Sequence, residues 1–230
     1  MRFNKSVEYA REVYEMGELK YNSKGENSRI KKIVSFAGKN KKILDIGCYD
    51  GTLGLFLIKE GNEVYGIEGN ENAAGEARKK GVRVTIQDVE SDFGFQDDFF
   101  DLVIAGEIIE HILDTDFFLD QIKKVLKPGG ILILSTPNAA SLGRRFLLLA
   151  GKNPFFEASY GFPGYAHAGH IRFFTKGLLV DFLQYKKFTP LEFTSDVINL
   201  NSSGKFSSRW AAELFPTFGR SLIVKAKVNK

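Results

Sequence analysis

The 230-residue chain has a single cysteine, Cys48, so it can form no internal disulfide, and the composition fits a reducing compartment. No apolar run approaches the ~20 residues that a membrane-spanning helix needs. Met1-Arg2-Phe3-Asn4-Lys5 leads into no apolar signal core, which argues against secretion and sets a cytoplasmic expectation. Neither charge sign dominates: the formal net charge is +4 and the isoelectric point about 9.0. Lys20, Lys24, Arg29, Lys31, Lys32, Lys39, Lys41 and Lys42 concentrate the basic charge early. That cluster reads as the solvated face of a helical region, with a nucleic-acid surface as the alternative. The chain carries no internal repeat and no low-complexity segment.

A hydrophobic fraction of 43% and a charged fraction of 26% describe an ordinary globular protein, and the length suits one domain with a lid. Residues 1–40 read as a helical cap, broken near Tyr21–Asn27 and resumed over Ser28–Phe36. Strand and helix then alternate. Strands are predicted at Lys42–Ile46, Glu63–Ile67, Val82–Ile86, Phe100–Ala105 and Ile131–Ser135. Helices fall at Thr52–Glu60, Glu71–Lys80 and Asp116–Val125, with a strong turn at Lys127-Pro128-Gly129-Gly130. This rhythm predicts an α/β fold with a doubly wound, mostly parallel sheet, and residues 41–136 as its ligand-binding core. Residues 137–175 break the rhythm and form a lid or acceptor region. Residues 176–230 are expected to add a helix at Leu178–Gln184 and strands near Pro190–Thr194 and Ser221–Val228, closing the seven-stranded sheet with an antiparallel hairpin.

In open α/β sheets a ligand lies at the carboxyl ends of the strands. Strand one runs into Asp45-Ile46-Gly47-Cys48-Tyr49-Asp50-Gly51, a glycine-spaced turn that brings backbone close to a nucleotide-like ligand. Asp45 and Asp50 make that mouth acidic, which suits a cationic or hydroxyl-rich ligand better than a pyrophosphate. Glu68 follows strand two, 21 residues beyond Gly47, where two carboxylate oxygens can accept from a vicinal ribose diol. Asp88 follows strand three, placed to accept from an adenine amine while Val89 packs on the ring. Ala105-Gly106-Glu107 ends strand four.

Ile43–Cys48 with Gly51, Glu68, Asp88, Phe100-Asp101-Leu102-Val103 and Leu126–Gly130 resembles the Rossmann-like S-adenosylmethionine-dependent methyltransferases, from about residue 25 to 194 and weakly to the end. The resemblance implies that Asp45 and the Gly47–Gly51 turn, including Cys48 and Tyr49, hold the methionine end of S-adenosylmethionine. It gives Glu68 with Gly69 the ribose, Asp88 with Val89 the adenine, and Ala105 and Glu107 the side facing the acceptor. Tyr49 departs from the pattern, since the family often has glycine there. A dehydrogenase reading of Gly47, Gly51 and Gly54 lacks its Tyr-x-x-x-Lys pair, because no tyrosine here has lysine four residues on.

The Asn-Pro-Pro-Tyr segment common after strand four in enzymes that methylate amide or base nitrogens is absent, which favours a hydroxyl on a small molecule, sugar or lipid-linked intermediate. Glu107-Ile108-Ile109-Glu110-His111-Ile112 resembles the corresponding segment of ubiquinone-pathway O-methyltransferases. His111 is thus a candidate base, with a structural role as the alternative. His170 is a second candidate base. Glu107, Glu110 and His111 on one turn do not by themselves specify a metal, and none is expected. Tyr160, Tyr165, His167 and Arg172, in an aromatic stretch punctuated by glycine, are candidate acceptor contacts. Ser141–Lys152 is short, apolar and basic. It reads either as a helix lying on an anionic membrane or as a buried helix. A nucleic-acid methyltransferase and an inactive binding subunit are the competing functions.

Overall fold

The computed structural model describes residues 24–155, 169–199 and 206–230. The helical expectation for the first twenty residues, and Tyr160, Tyr165 and His167, lie outside them. In chain order the elements are α1 (Lys24–Ala37), β1 (Lys42–Ile46), α2 (Thr52–Lys59), β2 (Glu63–Glu68), α3 (Glu71–Lys79), β3 (Arg83–Ile86) and β4 (Phe100–Gly106). A 3-10 turn at Ile109–His111 follows, then α4 (Thr115–Val125), β5 (Leu126–Pro137), α5 (Leu142–Leu149), α6 (Lys176–Tyr185) and β6 (Phe188–Ser195). The chain closes with β7 (Ile198–Asn199), β8 (Ser207–Ser208), α7 (Arg209–Leu214), a 3-10 turn at Pro216–Phe218 and β9 (Ser221–Val228).

The main sheet has seven strands in the order β3-β2-β1-β4-β5-β9-β6. Strands β1 to β5 pair in parallel, and β9 runs antiparallel to both β5 and β6. The order reverses at β1/β4, the switch point at which a ligand cleft opens. Alternate residues of each strand feed opposite layers. Ile43, Leu102, Ile104, Ile133 and Ile223 pack with Ile33, Ala37 and Leu57 of α1 and α2. Leu44, Ile46, Val103, Leu132, Leu134 and Val224 pack with Phe118, Ile122, Leu179 and Leu183 of α4 and α6. Helix starts follow side-chain caps: Asn70 accepts from the Asn72 and Ala73 N–H groups, Asp114 from Phe117 and Thr175 from Leu178.

Two sequence expectations change. Lys127–Gly130 does not precede β5 but bulges within it: Phe100 pairs with Leu126 and Leu102 with Ile131, so the ladder skips the turn and resumes. The expected hairpin is elaborated, because β7, β8 and α7 intervene between the paired strands β6 and β9.

Candidate active site

Strand alternation turns Asp45 toward the α1 and α2 layer, where it is buried. Burial pushes its carboxyl up to about 7; the Glu68 charge adds to the rise and Arg29 opposes it. Past β1 the Gly47 and Cys48 N–H groups both donate to the Ile67 carbonyl, at 2.8 and 3.1 Å. Gly47 has φ +70°, and a Cβ there would stand 2.9 Å from Ile108 Cδ1. Only glycine keeps both the turn and its opening toward the cleft.

The rest of the turn is used differently from what the motif suggests. Gly51 also has a left-handed φ, but a Cβ on it would lie 2.7 Å from the Ala77 Cα, so its requirement is packing against α3 rather than ligand contact. Cys48 packs its sulfur on Gly66, where an added Cβ would come within 2.4 Å. Asp50 accepts from the Thr52 N–H and hydroxyl and from Lys80 Nζ, which makes it the start of α2 and not a free acid at the mouth. Tyr49 takes φ +47° and donates its N–H to Glu68 Oε2 at 2.9 Å. The position needs a left-handed backbone, which is why glycine suits it and why tyrosine there is unusual.

Glu68 is buried and also accepts from the Asn70 N–H, at 2.8 Å on Oε1. Burial raises its carboxyl above the ordinary value, against the lowering by the Asn70, Tyr49 and Gly69 N–H groups. Glu68 pairs in register with Ile86, and the Gln87 N–H donates to the Glu68 carbonyl, so the next residue, Asp88, stands at the adjacent strand end. Asp88 Oδ1 accepts from the Glu90 N–H in a tight turn, and Val89 is partly buried against the core. Ala105 is fully buried in that core, and Gly106 rather than Ala105 lines the cleft.

A cleft opens between Arg29, Ile30 and Ile33 of α1, Leu53 of α2, Asp45, Gly47, Cys48 and Gly106. Arg29 is the residue the sequence reading missed by grouping it with solvated lysines. Its side chain is 12% exposed, reaches Ser135 Oγ at 3.4 Å and stands 3.8 Å from Glu107 Oε1. The signal was its spacing: Arg29, Ile33 and Ala37 share one helical face, a guanidinium on a buried stripe. Glu107 takes φ +54°, and its buried Oε1 has no hydrogen-bond partner among the described residues. Burial raises the Glu107 carboxyl, with Arg29 opposing. The fit to S-adenosylmethionine rests on this wall and the acid next to it: Arg29 for a carboxylate, Asp45 for an ammonium, the Gly47 turn open to the cleft, and Glu68 at the neighbouring strand end for a diol.

Beyond β4 the 3-10 turn meets residues 169–174. The Ile171 and Arg172 N–H groups donate to the Glu110 carbonyl. Arg172 Nε donates to the Ile112 carbonyl at 2.8 Å and its Nη2 to that of Leu113. That corrects the acceptor-pairing expectation for Arg172, whose guanidinium clamps two backbone carbonyls. His111 Nδ1 lies 3.2 Å from the Gly169 carbonyl and its ring 4.9 Å from that of His170. An Nδ1–H donating there leaves Nε2 as the basic nitrogen of His111. His170 is pushed down to about 4, chiefly by burial and then by Arg144, so it is a weak base. Glu110 is 1% exposed, accepts from the Thr136 hydroxyl at 3.0 Å on Oε2, and has no hydrogen-bond partner for its buried Oε1 among the described residues. Burial, and then the Glu107 charge, raise its carboxyl well above the ordinary value. His170, whose Nε2 lies 4.0 Å from Glu110 Oε1, is neutral at that lowered value, so the contact is not an ion pair. The donor atoms of Glu110, His111 and His170 lie within 4.8 Å of one another, close enough to share a cation.

Residues 21–188 match the profile of a family described as a methyltransferase domain. A ubiquinone biosynthesis O-methyltransferase from Sinorhizobium fredii is 30% identical over 120 residues, 50% of this chain and 48% of that protein. The chain thus spans about half the length of the curated relatives it matches. A solved structure from Thermotoga maritima, described as a possible histamine N-methyltransferase, superposes with a TM-score of 0.64 at 20% identity, covering 95% of this chain and 97% of that one. The 1,6-didemethyltoxoflavin N1-methyltransferase from Burkholderia thailandensis, solved with bound 1,6-didemethyltoxoflavin and S-adenosylhomocysteine, gives a TM-score of 0.65 at 18% identity, covering 98% of this chain and 88% of that one.

Proposed function

Since the chain belongs to the methyltransferase-domain family and is an S-adenosylmethionine-dependent enzyme, we propose that it methylates a hydroxyl of a small molecule, with His111 as base. The observation that carries this reading is the imidazole of His111, on the turn that follows β4, oriented by the Gly169 carbonyl. The curated relatives named as O-methyltransferases support it, as does the absence of Asn-Pro-Pro-Tyr after β4.

In this reading Arg29 takes the carboxylate of the methionine end and Asp45 faces its ammonium. Glu68 accepts from the ribose hydroxyls, and Asp88 and Val89 receive the adenine. When bound, S-adenosylmethionine supplies a methyl activated on a sulfonium. The protein aligns the acceptor oxygen with that methyl and removes its proton to His111 Nε2. His111→Ala is then expected to slow turnover about 100-fold or more while leaving cofactor affinity near wild type. Single-turnover formation of S-adenosylhomocysteine with a hydroxylated acceptor measures this, and a wild-type rate would remove His111 as the base.

The Asp45 carboxyl near 7 gives a pH signature. Between its ordinary value and 7 the folded protein holds a proton that the unfolded chain has released. This group's contribution to stability therefore falls as pH rises through that window and levels off above it. An ammonium beside Asp45 favours the ionised form, so cofactor binding below pH 7 is expected to release a proton and to tighten as pH rises toward 7. Calorimetry in buffers of different ionisation heat reads the proton directly; a pH-independent affinity with no proton release would separate Asp45 from the ligand.

A second reading rests on the convergence of Glu110, His111 and His170. A divalent cation held there would acidify the acceptor hydroxyl without a protein base. Activity that disappears on chelation and returns with magnesium or zinc would favour it; full activity after chelation would discard it. The nucleic-acid alternative loses support, because Arg29 faces the cleft and Lys32 and Lys39 are paired with Glu213 and Glu60.

A further inference from the structure

α5 carries Leu142, Phe146, Leu147, Leu148 and Leu149 on eight residues, yet none of its residues is buried. This corrects the reading of the segment as a buried helix: Phe146 is 63% exposed and Leu149 83%. The apolar surface continues beyond the helix. Arg145 of α5 lies over the Phe218 ring at 4.7 Å, and Phe218 pairs with the exposed Phe215 that follows α7. α7 then presents Trp210, 71% exposed, and Leu214.

The charge around these side chains has one sign. No acid occurs between Ser141 and Asn153, whereas Arg144, Arg145 and Lys152 do. The only acid of α7, Glu213, is held by Lys32 at 2.9 Å, while Arg209 of the same helix is exposed. Tryptophan, phenylalanine and leucine beside arginine and lysine form the pattern of a surface that lies in the headgroup region of an anionic membrane. At about 1.5 Å per residue α5 is far too short to cross a bilayer, and among the described residues no helix is long and apolar enough to do so. A second copy of the chain is a poorer occupant, because a two-fold contact through this surface would set like charges against each other.

We propose that α5, the Pro216–Phe218 turn and α7 together form a seat for an anionic lipid bilayer. The seat adjoins the acceptor side of the cleft: Arg144 donates to the carbonyl of Asn138, which bridges to Phe174 of the segment carrying His170. Docking therefore turns the acceptor side toward the membrane. Membrane binding does not depend on which acceptor is methylated, so its failure and that of the proposed reaction are separately visible.

Trp210 is the only tryptophan in the chain, so intrinsic fluorescence reports from within the seat. The protein is mixed with vesicles of phosphatidylcholine alone or of phosphatidylcholine with phosphatidylglycerol. Emission is expected to shift to the blue, and protein to sediment, only with the anionic vesicles, with both effects fading at high salt. Arg145→Glu should lower the bound fraction about fivefold or more. The double variant Phe146→Ser, Leu149→Ser should abolish it at an unchanged melting temperature, since both side chains are exposed. Unshifted emission with protein left in the supernatant would overturn the proposal. Equal binding to neutral vesicles, or a concentration-dependent dimer broken by the same variants, would overturn it equally.

Discussion

Glu68→Ala is expected to weaken S-adenosylmethionine binding by an order of magnitude or more, the largest effect on affinity of any single carboxylate in the site. Two losses combine. The ribose diol loses a charged acceptor, a contact of the kind that contributes about 1.5–3 kcal/mol. The Tyr49 and Asn70 N–H groups lose the oxygens to which they donate, so the turn after β1 is no longer tied to the end of β2. Leaving such donors unsatisfied costs a further ~1–3 kcal/mol of stability. Glu68→Gln separates the two losses. It retains one acceptor oxygen but presents an amide N–H₂ to one of the two backbone donors, so the melting temperature should fall while part of the affinity survives. Titration calorimetry and a thermal melt on both variants check this, and wild-type affinity in Glu68→Ala would remove the ribose assignment.

The largest effect on stability is expected at Gly51. Alanine there must take φ +73° and bring its Cβ to 2.7 Å from the Ala77 Cα and 2.8 Å from the Ala77 Cβ. The left-handed conformation costs about 1–2 kcal/mol and an overpacked contact with backbone about 1–3 more. A loss of roughly 2–5 kcal/mol lowers the melting temperature by about 5–15 °C in a chain of this size. The variant that remains folded should bind S-adenosylmethionine far better than Glu68→Ala does, because the glycine serves the seat of α3 and not the ligand. An unchanged melting temperature would contradict the packing role; a cofactor defect with full stability would return Gly51 to the binding site.

Much of this fold is legible because each strand–helix unit carries its own punctuation. Lys42–Ile46 and Ser221–Val228 form strands with the ends expected from their apolar runs, and Asn70 stands where a helix cap should. The acids after β2 and β3 are legible for the same reason: the end of a parallel strand is marked in the sequence, and the parallel pairing of neighbouring strands brings those ends together. What depends on tertiary packing is not legible. Arg29 enters the cleft only because α1 crosses it, and charge counting places it with solvated lysines. Arg172 is directed by the carbonyls of Ile112 and Leu113, sixty and fifty-nine residues away, which no local pattern reveals. The apolar residues of α5 suggest a face to be covered, but periodicity says nothing of what covers it. Tyr49 looks like a defect in a glycine motif until its backbone is seen to aim an N–H at Glu68.

The central claim is that S-adenosylmethionine binds in the cleft between α1 and the ends of β1 and β4 through Arg29, Asp45 and Gly47, with Glu68 at the adjacent end of β2. Titration calorimetry of S-adenosylmethionine into the wild-type protein and into Arg29→Met tests it most directly. Saturable one-to-one binding to the wild type, weakened about tenfold or more in the variant by loss of the guanidinium–carboxylate pair, is the predicted result. No binding by a folded wild-type protein, or equal affinity in the two proteins, would contradict it.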